Sequence, residues 1–127
     1  MSGKIASNQH IKLACQRYLV WFDRPDLYFD AEKVEKKISF VYKMKHWDGQ
    51  LAGHNFELLP WQHFAFCNIF GWYYRNSNKR VTRNAFIFIA RKNGKTAFAS
   101  AIALACMCKD DEMGCEINLV ANSKKQA

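Results

Sequence analysis

The chain has 127 residues, a length typical of one domain or of part of one. Half of the residues are hydrophobic and 15% are aromatic, which excludes an intrinsically disordered chain and predicts a packed core. Lys and Arg number 19 against 11 Asp and Glu, so the formal net charge is +8, a balance that favours polyanionic partners such as nucleic acid or nucleotides.

The N-terminus and the cysteines indicate where the protein works. The first residues, MSGKIASNQHIK, contain no apolar segment of a secretory signal, and no run of about 18 apolar residues is free of charge. We therefore expect a protein that is neither exported nor inserted in a membrane. The five cysteines are odd in number and lack the paired spacing of a zinc site, which predicts reduced thiols in a cytoplasmic protein. They are Cys15, Cys67, Cys106, Cys108 and Cys115.

Two amphipathic helices are predicted near the N-terminus. The first begins after Ser7 or Asn8 as N-cap, and the segment from Asp23 to Asp26 ends it. Its predicted apolar face contains Ile11, Ala14, Cys15, Tyr18, Leu19 and Phe22. The second begins at Asp30 as N-cap and runs to about Lys45. Its predicted apolar face contains Val34, Ile38 and Val41, and its predicted polar face contains Glu32, Lys33, Glu35, Lys36 and Lys37.

A third helix is predicted after a loop region. Loop signals at residues 47–50 and 52–55 surround a short extended piece from Phe56 to Leu59. Pro60 suits the first turn of the helix, which continues as WQHFAFCNIFGWYY. At helical spacing, this segment is predicted to bury Trp61, Phe64, Ala65, Asn68, Ile69 and Trp72.

The sequence becomes more apolar after a polar, basic connection that contains Arg75, Lys79, Arg80 and Arg83. Residues 85–90, AFIFIA, form a continuous apolar run, which is typical of a strand covered on both faces in a parallel sheet. Residues 91–94 form a loop that leads into a helix predicted over KTAFASAIALACMC. Residues 115–121 are the next predicted strand. Strand, helix and strand in this order predict a right-handed βαβ unit.

The loop between this strand and this helix has the composition of a phosphate-binding loop. It reads Arg91-Lys92-Asn93-Gly94-Lys95-Thr96, and its G-K-T ending stands where the helix is predicted to begin. The usual pattern has another glycine at the position of Ile89. The identification of a phosphate-binding loop therefore depends on the predicted strand before the G-K-T tripeptide and the predicted helix after it. In such a loop, Gly94 lets the backbone approach the phosphates, Lys95 reaches the β and γ phosphates, and the Thr96 hydroxyl binds Mg²⁺.

These elements predict an α/β fold. N-terminal helices precede the start of a P-loop NTPase parallel sheet, which the end of the chain truncates. Residues 1–84 are the mainly helical lead-in, and residues 85–127 are the βαβ unit with its phosphate-binding loop.

Several blocks of the sequence carry a family resemblance. With LPWQ at residues 59–62, RKNGKT at 91–96 and LVANSKKQA at 119–127, the chain resembles the ATPase domain of phage terminase large subunits, the motors that pump DNA into procapsids. The resemblance extends over nearly the whole chain. In that family the first glycine of the loop is commonly absent, and an Arg or Lys stands shortly before the G-K, as Arg91 and Lys92 do here.

The resemblance implies ATP and Mg²⁺ as ligands and a role for individual residues. Gln62 matches the glutamine that recognises adenine in such motors, since a side-chain amide can pair with N6 and N7 of adenine. The alternative is a glutamine on the polar side of the third helix. Arg91 is a candidate to contact the γ-phosphate in cis, and the alternative is a surface arginine. The predicted nucleotide site comprises Gln62, Arg91, Lys92, Asn93, Gly94, Lys95 and Thr96, with Lys95 and Arg91 catalytic and Thr96 the metal ligand.

The resemblance also implies parts that lie outside this chain. Asp110-Asp111-Glu112 precedes the second predicted strand instead of following it, so we interpret it as a solvated turn and not as the Mg²⁺-binding acid. That acid and the terminase nuclease domain are expected beyond Ala127, which makes the chain an N-terminal fragment that is not expected to hydrolyse ATP alone. For the full-length protein, the resemblance implies double-stranded DNA, the terminase small subunit and the portal protein as partners, a homo-oligomeric state and a location in the host cell cytoplasm.

Two other functions are compatible with the sequence. A helicase-like P-loop ATPase also combines an upstream glutamine with G-K-T. A nucleic-acid-binding or assembly module without nucleotide chemistry would use the basic connection. That connection contains Arg75, Lys79, Arg80 and Arg83.

Overall fold

The computed structural model describes residues 8–46, 51–109 and 116–118. In chain order its elements are α1 (Gln9–Val20), β1 (Leu27–Phe29), α2 (Ala31–Val41), α3 (Pro60–Phe70), β2 (Trp72–Tyr74) and α4 (Lys95–Lys109), and a 3₁₀ turn at Trp21–Asp23 follows α1. The described residues form two compact units: 8–34 with 63–86, and 35–46 with 51–62, 87–109 and 116–118. Within these ranges, no helix is both long and apolar enough to cross a membrane.

Helix α1 starts as the sequence predicts. Asn8 is its N-cap, and the Asn8 side chain accepts a hydrogen bond from the backbone N–H of His10 at 3.0 Å. Half of the predicted apolar face is covered. The half-buried members are Ala14, Cys15 and Tyr18, and the exposed members are Ile11, Leu19 and Phe22.

Helix α2 begins at its predicted N-cap but ends earlier than predicted. The Asp30 carboxylate accepts a hydrogen bond from the backbone N–H of Lys33 at 3.0 Å. The predicted apolar residues Val34, Ile38 and Val41 are buried. The helix ends at Val41 because the following residues turn, and the carbonyl of Met44 accepts a hydrogen bond from the N–H of Phe56 at 2.8 Å.

Lys37 departs from its predicted place on the polar face of α2. Its side chain is buried, with 3% of its surface exposed, and its ammonium donates a hydrogen bond to the carbonyl of Lys109 at the end of α4. The last carbonyls of a helix have no partner within the helix, and they favour a cation. The prediction of a solvated Lys37 is therefore wrong, because this side chain caps another helix.

The third helix is shorter than predicted, and a strand follows it. Helix α3 ends at Phe70, and Gly71 breaks the helical pattern. The carbonyl of Gly71 accepts a hydrogen bond from the N–H of Asp30 at 2.8 Å. The chain then forms β2, which pairs antiparallel with β1 in the register Leu27↔Tyr74, Tyr28↔Tyr73 and Phe29↔Trp72. The prediction of helix through Tyr74 is wrong, since the aromatic residues after Gly71 suit a strand once a second strand is available.

An aromatic cluster forms the core of the first unit around Trp72. The Trp72 side chain is 1% exposed. The rings of Tyr18, Trp21, Phe22 and Phe29 lie with their centroids 4.9–5.5 Å from its ring, most of them edge to face. Its indole N–H has no hydrogen-bond partner among the described residues. The cluster therefore stabilises β2 mainly through apolar contact, against the cost of one buried donor.

The second unit has its own apolar core. Its buried side chains are Ile38, Val41, Phe56, Leu58, Phe98, Ala101 and Ala105. The ring of Trp61, at the start of α3, meets the ring of Phe98 edge to face, with centroids 5.3 Å apart. Phe98, Ala101 and Ala105 share one side of α4, so the alanine-rich sequence allows close approach on that side.

The predicted parallel sheet does not occur among the described elements. Residues 85–90 belong to no strand that the structure describes, and Phe86 and Phe88 are 91% and 88% exposed. Of the second predicted strand, only residues 116–118 are described, and they are exposed and irregular. The fold is thus mixed, with helices and one small antiparallel sheet, and the parallel βαβ unit stays a prediction.

The break at Gly71 yields a test of the first unit. A Cβ at this position would lie 2.1 Å from Cε2 of Phe29 and 2.7 Å from the carbonyl oxygen of Cys67. We expect Gly71→Ala to lower the free energy of unfolding by about 2 kcal/mol, because the backbone oxygen cannot move away. Urea unfolding followed by circular dichroism measures this change. The matched control is Gly53→Ala, which meets no atom within 4 Å and carries only its positive φ; an equal loss in both variants would contradict the expectation.

Candidate phosphate-binding site

The sign of the backbone angle φ alternates along residues 92–94 of the loop. Lys92 has φ 67° and Gly94 has φ 70°, whereas Asn93 between them has a negative φ. A positive φ is unfavourable for lysine, so the rest of the loop must enforce it. Alternation of this kind brings successive backbone N–H groups to one concave side, an arrangement that binds anions.

Helix α4 begins directly after this loop, at the predicted residue. The carbonyl of Gly94 accepts the hydrogen bond from the N–H of Phe98 at 2.9 Å, which makes Gly94 the N-cap and Lys95 the first helical residue. The N–H groups of Lys95 and Thr96 therefore have no partner within the helix. The positive end of the helix dipole adds to their attraction for an anion, and the first turn contains no acidic residue.

The side chains of the loop are available to a ligand. All residues from Arg91 to Thr96 are exposed. The side chains of Arg91, Lys95 and Thr96 make no hydrogen bond or ion pair with any residue that the structure describes. Three cationic residues, Arg91, Lys92 and Lys95, thus stand in the loop and at the start of α4. The loop is a concentrated positive site built from six consecutive residues.

Gln62 lies beside this loop. It is 2% exposed, and its Oε1 accepts a hydrogen bond from the backbone N–H of Leu59 at 2.8 Å. Its Nε2 lies 3.1 Å from the place that a Cβ on Gly94 would occupy. The alternative of a glutamine on a solvated side of α3 is therefore wrong. Adenine recognition by Gln62 stays a prediction, as do the roles predicted for Arg91, Lys92, Asn93, Lys95 and Thr96.

The burial of Gln62 follows from a helix face that the sequence did not indicate. The residues predicted to be buried on α3 are half-buried, whereas its fully buried residues are Gln62, Phe66 and Phe70. Their spacing of four places them on one face of the helix. The signal was present in the two phenylalanines, but the abundance of other apolar residues in α3 concealed it.

Other residue types that often act in catalysis form no site among the described residues. No group of His, Cys, Asp and Glu there could hold a metal ion, and Asp110-Asp111-Glu112 lies outside the described ranges. Among the described residues the cysteines form no disulfide with one another, and Cys115 lies outside the described ranges. Nδ1 of His63 lies 3.6 Å from the sulfur of Cys67, and burial raises the pKa of the Cys67 thiol, which disfavours the thiolate.

A basic groove in the first unit is a second candidate site. Its volume is about 540 Å³, and its lining residues are Arg17, Trp21, Tyr74, Val81, Thr82, Arg83 and Asn84. The guanidinium of Arg17 lies over the Trp21 ring, 5.4 Å from its centroid. The segment that carries Arg83 is held in place, because the hydroxyl of Thr82 donates to the carbonyl of Asn68 at 2.9 Å. The contribution of Arg17 from α1 to this region was not predicted from the sequence.

Of the four residues in the basic connection that is predicted to contact nucleic acid, two contact other parts of the first unit and two are exposed. Arg75 donates from Nε to the carbonyl of Leu27 at 2.9 Å, and the guanidinium of Arg80 lies 5.3 Å from the centre of the Phe70 ring. These two arginines therefore support the fold of the first unit. Lys79 is exposed, and Arg83 is exposed in the groove.

Comparison with protein families gives a match whose range includes the loop. Residues 60–127, more than half of the chain, match the family model described as terminase large subunit, ATPase domain. The matched range contains α3, the loop and α4. No curated protein and no solved structure matches the chain. The family match confirms the resemblance found in the sequence.

The positive φ of Lys92 can be tested by measuring how a substitution there changes the free energy of unfolding. Glycine adopts a positive φ without strain, so we expect Lys92→Gly to raise the free energy of unfolding by up to about 1 kcal/mol. Asn93→Gly is the matched control, because Asn93 has a negative φ and glycine there should only add flexibility. Urea unfolding of both variants gives the comparison. If both lower stability equally, the loop does not have the alternating backbone.

Proposed function

Because the chain belongs to the family of terminase large subunit ATPase domains, we propose that residues 91–96 bind the triphosphate of ATP in a genome-packaging motor. The observation that carries the proposal is the alternating loop that ends at the N-terminus of α4, where Gly94 is the N-cap. This combination offers backbone donors, a helix dipole and three cationic side chains to one polyanion.

Each residue of the loop has a distinct proposed task. The backbone at Lys92, Asn93 and Gly94 donates hydrogen bonds to phosphate oxygens, and Gly94 leaves room for close approach. The ammonium of Lys95 neutralises charge on the β and γ phosphates. Arg91 stands at the outer end of the loop, and we propose that its guanidinium compensates the charge that develops on the γ-phosphate during transfer.

The residues fit a magnesium nucleotide. The Thr96 hydroxyl lies at the second position of α4, exposed and next to Lys95, which is where a hydroxyl ligand to Mg²⁺ follows the phosphate-binding lysine in such loops. When bound, Mg²⁺ would neutralise part of the charge on the phosphates. We propose Thr96 as the protein's ligand to it from this part of the chain. The acid that such sites also require is proposed to come from residues other than the described ones.

The activities of the whole motor are further proposals, which depend on parts of the protein other than the described residues. ATP hydrolysis, translocation of double-stranded DNA and DNA cutting would require the further acid and the nuclease domain expected for terminases. We also propose that the full-length protein assembles into a homo-oligomer and contacts the small subunit and the portal protein. The described residues supply the nucleotide-binding part of this scheme.

Nucleotide binding tests the proposal directly. We expect Lys95→Ala to weaken the affinity for Mg²⁺-ATP by about tenfold to a hundredfold, because one charge-assisted contact to phosphate is lost. Isothermal titration calorimetry measures the dissociation constant. Lys92→Ala is the matched control, since it removes the same charge from the same loop but leaves the backbone contacts proposed for Lys92. Equal weakening in both variants would indicate nonspecific attraction and contradict the assignment of Lys95.

The basic groove supports a second candidate function, which is contact with nucleic-acid phosphates. Arg17 and Arg83 both line it, and neither makes an ion pair with a described residue. Trp21 and Tyr74 line the same groove and add aromatic surface. Arginine next to aromatic rings is a combination that nucleic-acid-binding surfaces use. This function is compatible with ATP binding, because it uses residues outside the loop.

Salt dependence tests the groove. We expect the double variant Arg17→Gln, Arg83→Gln to bind a fluorescent DNA duplex more weakly, with the slope of log K against log salt reduced by about two. Fluorescence anisotropy at several salt concentrations measures the slope. The matched control is Lys12→Gln, Lys43→Gln, which removes two charges from exposed positions that neither line the groove nor belong to the basic connection. The same reduction in the control would mean that the groove has no special part in binding.

A further inference from the structure

The basic groove of the first unit has features that contact with phosphates alone does not require. Trp21 and Tyr74 line it, and so does Asn84, whose side-chain amide makes no hydrogen bond with any residue that the structure describes. Phosphates attract cations and hydrogen-bond donors, so a surface that binds only them has no use for aromatic rings. Aromatic rings suit the face of a nucleic-acid base, and an amide suits its edge.

Backbone hydrogen bonds fix the part of the groove that β2 and the following residues form. The N–H of Tyr74 donates to the carbonyl of Lys79 at 2.9 Å, and the N–H of Val81 donates to the carbonyl of Trp72 at 2.9 Å. Tyr74 and Val81, which both line the groove, are thereby held relative to each other. A wall that exists before a ligand arrives reduces the entropy that is lost on binding.

The guanidinium of Arg17 is held at the groove by an aromatic ring. It lies over the Trp21 ring, 5.4 Å from the centroid, so this face of Trp21 supports the arginine and not a ligand. A base can stack on the plane of a guanidinium as it does on an aromatic ring. The half-buried ring of Tyr74 lines the same groove and offers a second flat surface.

The size and shape of the groove suit one nucleotide. Its volume of about 540 Å³ lies within the range of about 300–1,000 Å³ that is typical of sites for small molecules. The bases of a duplex are paired and stacked on one another, so their faces cannot enter a recess in a protein unless the base leaves the stack. A duplex would therefore contact the two arginines through its backbone and leave Tyr74 unused.

We propose that the groove binds one unpaired nucleotide. Its base stacks on Tyr74 and on the guanidinium of Arg17, its base edge pairs with the amide of Asn84, and its phosphate contacts Arg83. This inference rests on the second candidate function, since it names the form of nucleic acid that the same groove takes. The nucleotide belongs to a single strand or is a free nucleoside monophosphate, because both present the same base and phosphate. The site uses none of the residues of the loop at 91–96.

Strands with and without bases test the inference. Fluorescence anisotropy compares a labelled single strand of about 12 nucleotides with an abasic strand of the same length and with the duplex of the same sequence. We expect the wild-type chain to bind the single strand about tenfold more tightly than the abasic strand, because the two differ only in their bases.

Two variants assign this preference to the groove. We expect Tyr74→Leu to remove most of it and Asn84→Ala to reduce it about threefold, with the affinity for the duplex unchanged in both. Asn84 is exposed and has no described hydrogen bond, so Asn84→Ala keeps the test decisive if Tyr74→Leu disturbs the fold. The matched controls are Tyr42→Leu and Asn76→Ala, the same changes at exposed residues outside the groove, which should leave the preference as in the wild type.

The contrary outcomes are distinct. Equal affinity of the wild-type chain for the single strand and the abasic strand would overturn the inference and leave the phosphate contact of the second candidate function intact. A preference that neither Tyr74→Leu nor Asn84→Ala changes would also overturn the inference, since the base would then bind elsewhere. If the wild-type chain binds none of the three DNAs, both the second candidate function and the inference fail.

Competition distinguishes the two sources of the nucleotide. Deoxyadenosine monophosphate at millimolar concentration is added to the complex of the wild-type chain with the single strand. Displacement of the strand, absent in the complex with Asn84→Ala at the same concentration, would support the inference with a free nucleotide as ligand. Retention of the strand, together with the preference for bases, would support it with a single strand as ligand.

Discussion

A helix starts with backbone N–H groups that have no partner inside it, and at the start of α4 these groups follow an exposed loop with three cationic side chains. An interior position would require protein acceptors for them, whereas an exposed position leaves them to water or to an anion. Lys92 and Gly94 in this loop both have a positive φ, a backbone conformation that occurs in anion-binding loops. The chemistry proposed for this chain depends on that local excess of donors over acceptors.

Compensation for unpaired helix ends recurs elsewhere in the molecule. Asn8 and Asp30 cap the starts of α1 and α2, and Gln62 caps the start of α3. The end of α4 receives the ammonium of Lys37. Among the α-helices that the structure describes, only α4 has a glycine as N-cap. Glycine is well accepted at this position, and it leaves the first N–H groups of the helix to water or to a ligand.

The sequence predicted those features that depend on local chemistry. Asn8, Asp30, Pro60 and the start of α4 could be found because caps and helix-first prolines act within a few residues of the chain. It did not predict β1 and β2, because a three-residue strand is stable only beside its partner, and Gly71 reads equally well as a tolerated helical glycine. The burial of Lys37 and of Gln62, and the arginine that α1 adds to the groove, depend on contacts between distant parts of the chain. No periodicity in the sequence records such contacts.

The nearly complete exposure of the Phe86 and Phe88 rings affects how the protein behaves in solution. They belong to an uncharged, apolar segment at residues 85–90, a composition that promotes association between chains. The net charge of +8 opposes association by mutual repulsion, but dissolved salt screens that repulsion and leaves apolar attraction in place. Raising the ionic strength should therefore have opposite consequences for the two kinds of contact, since it would weaken the proposed contact with nucleic acid while it draws the chains together.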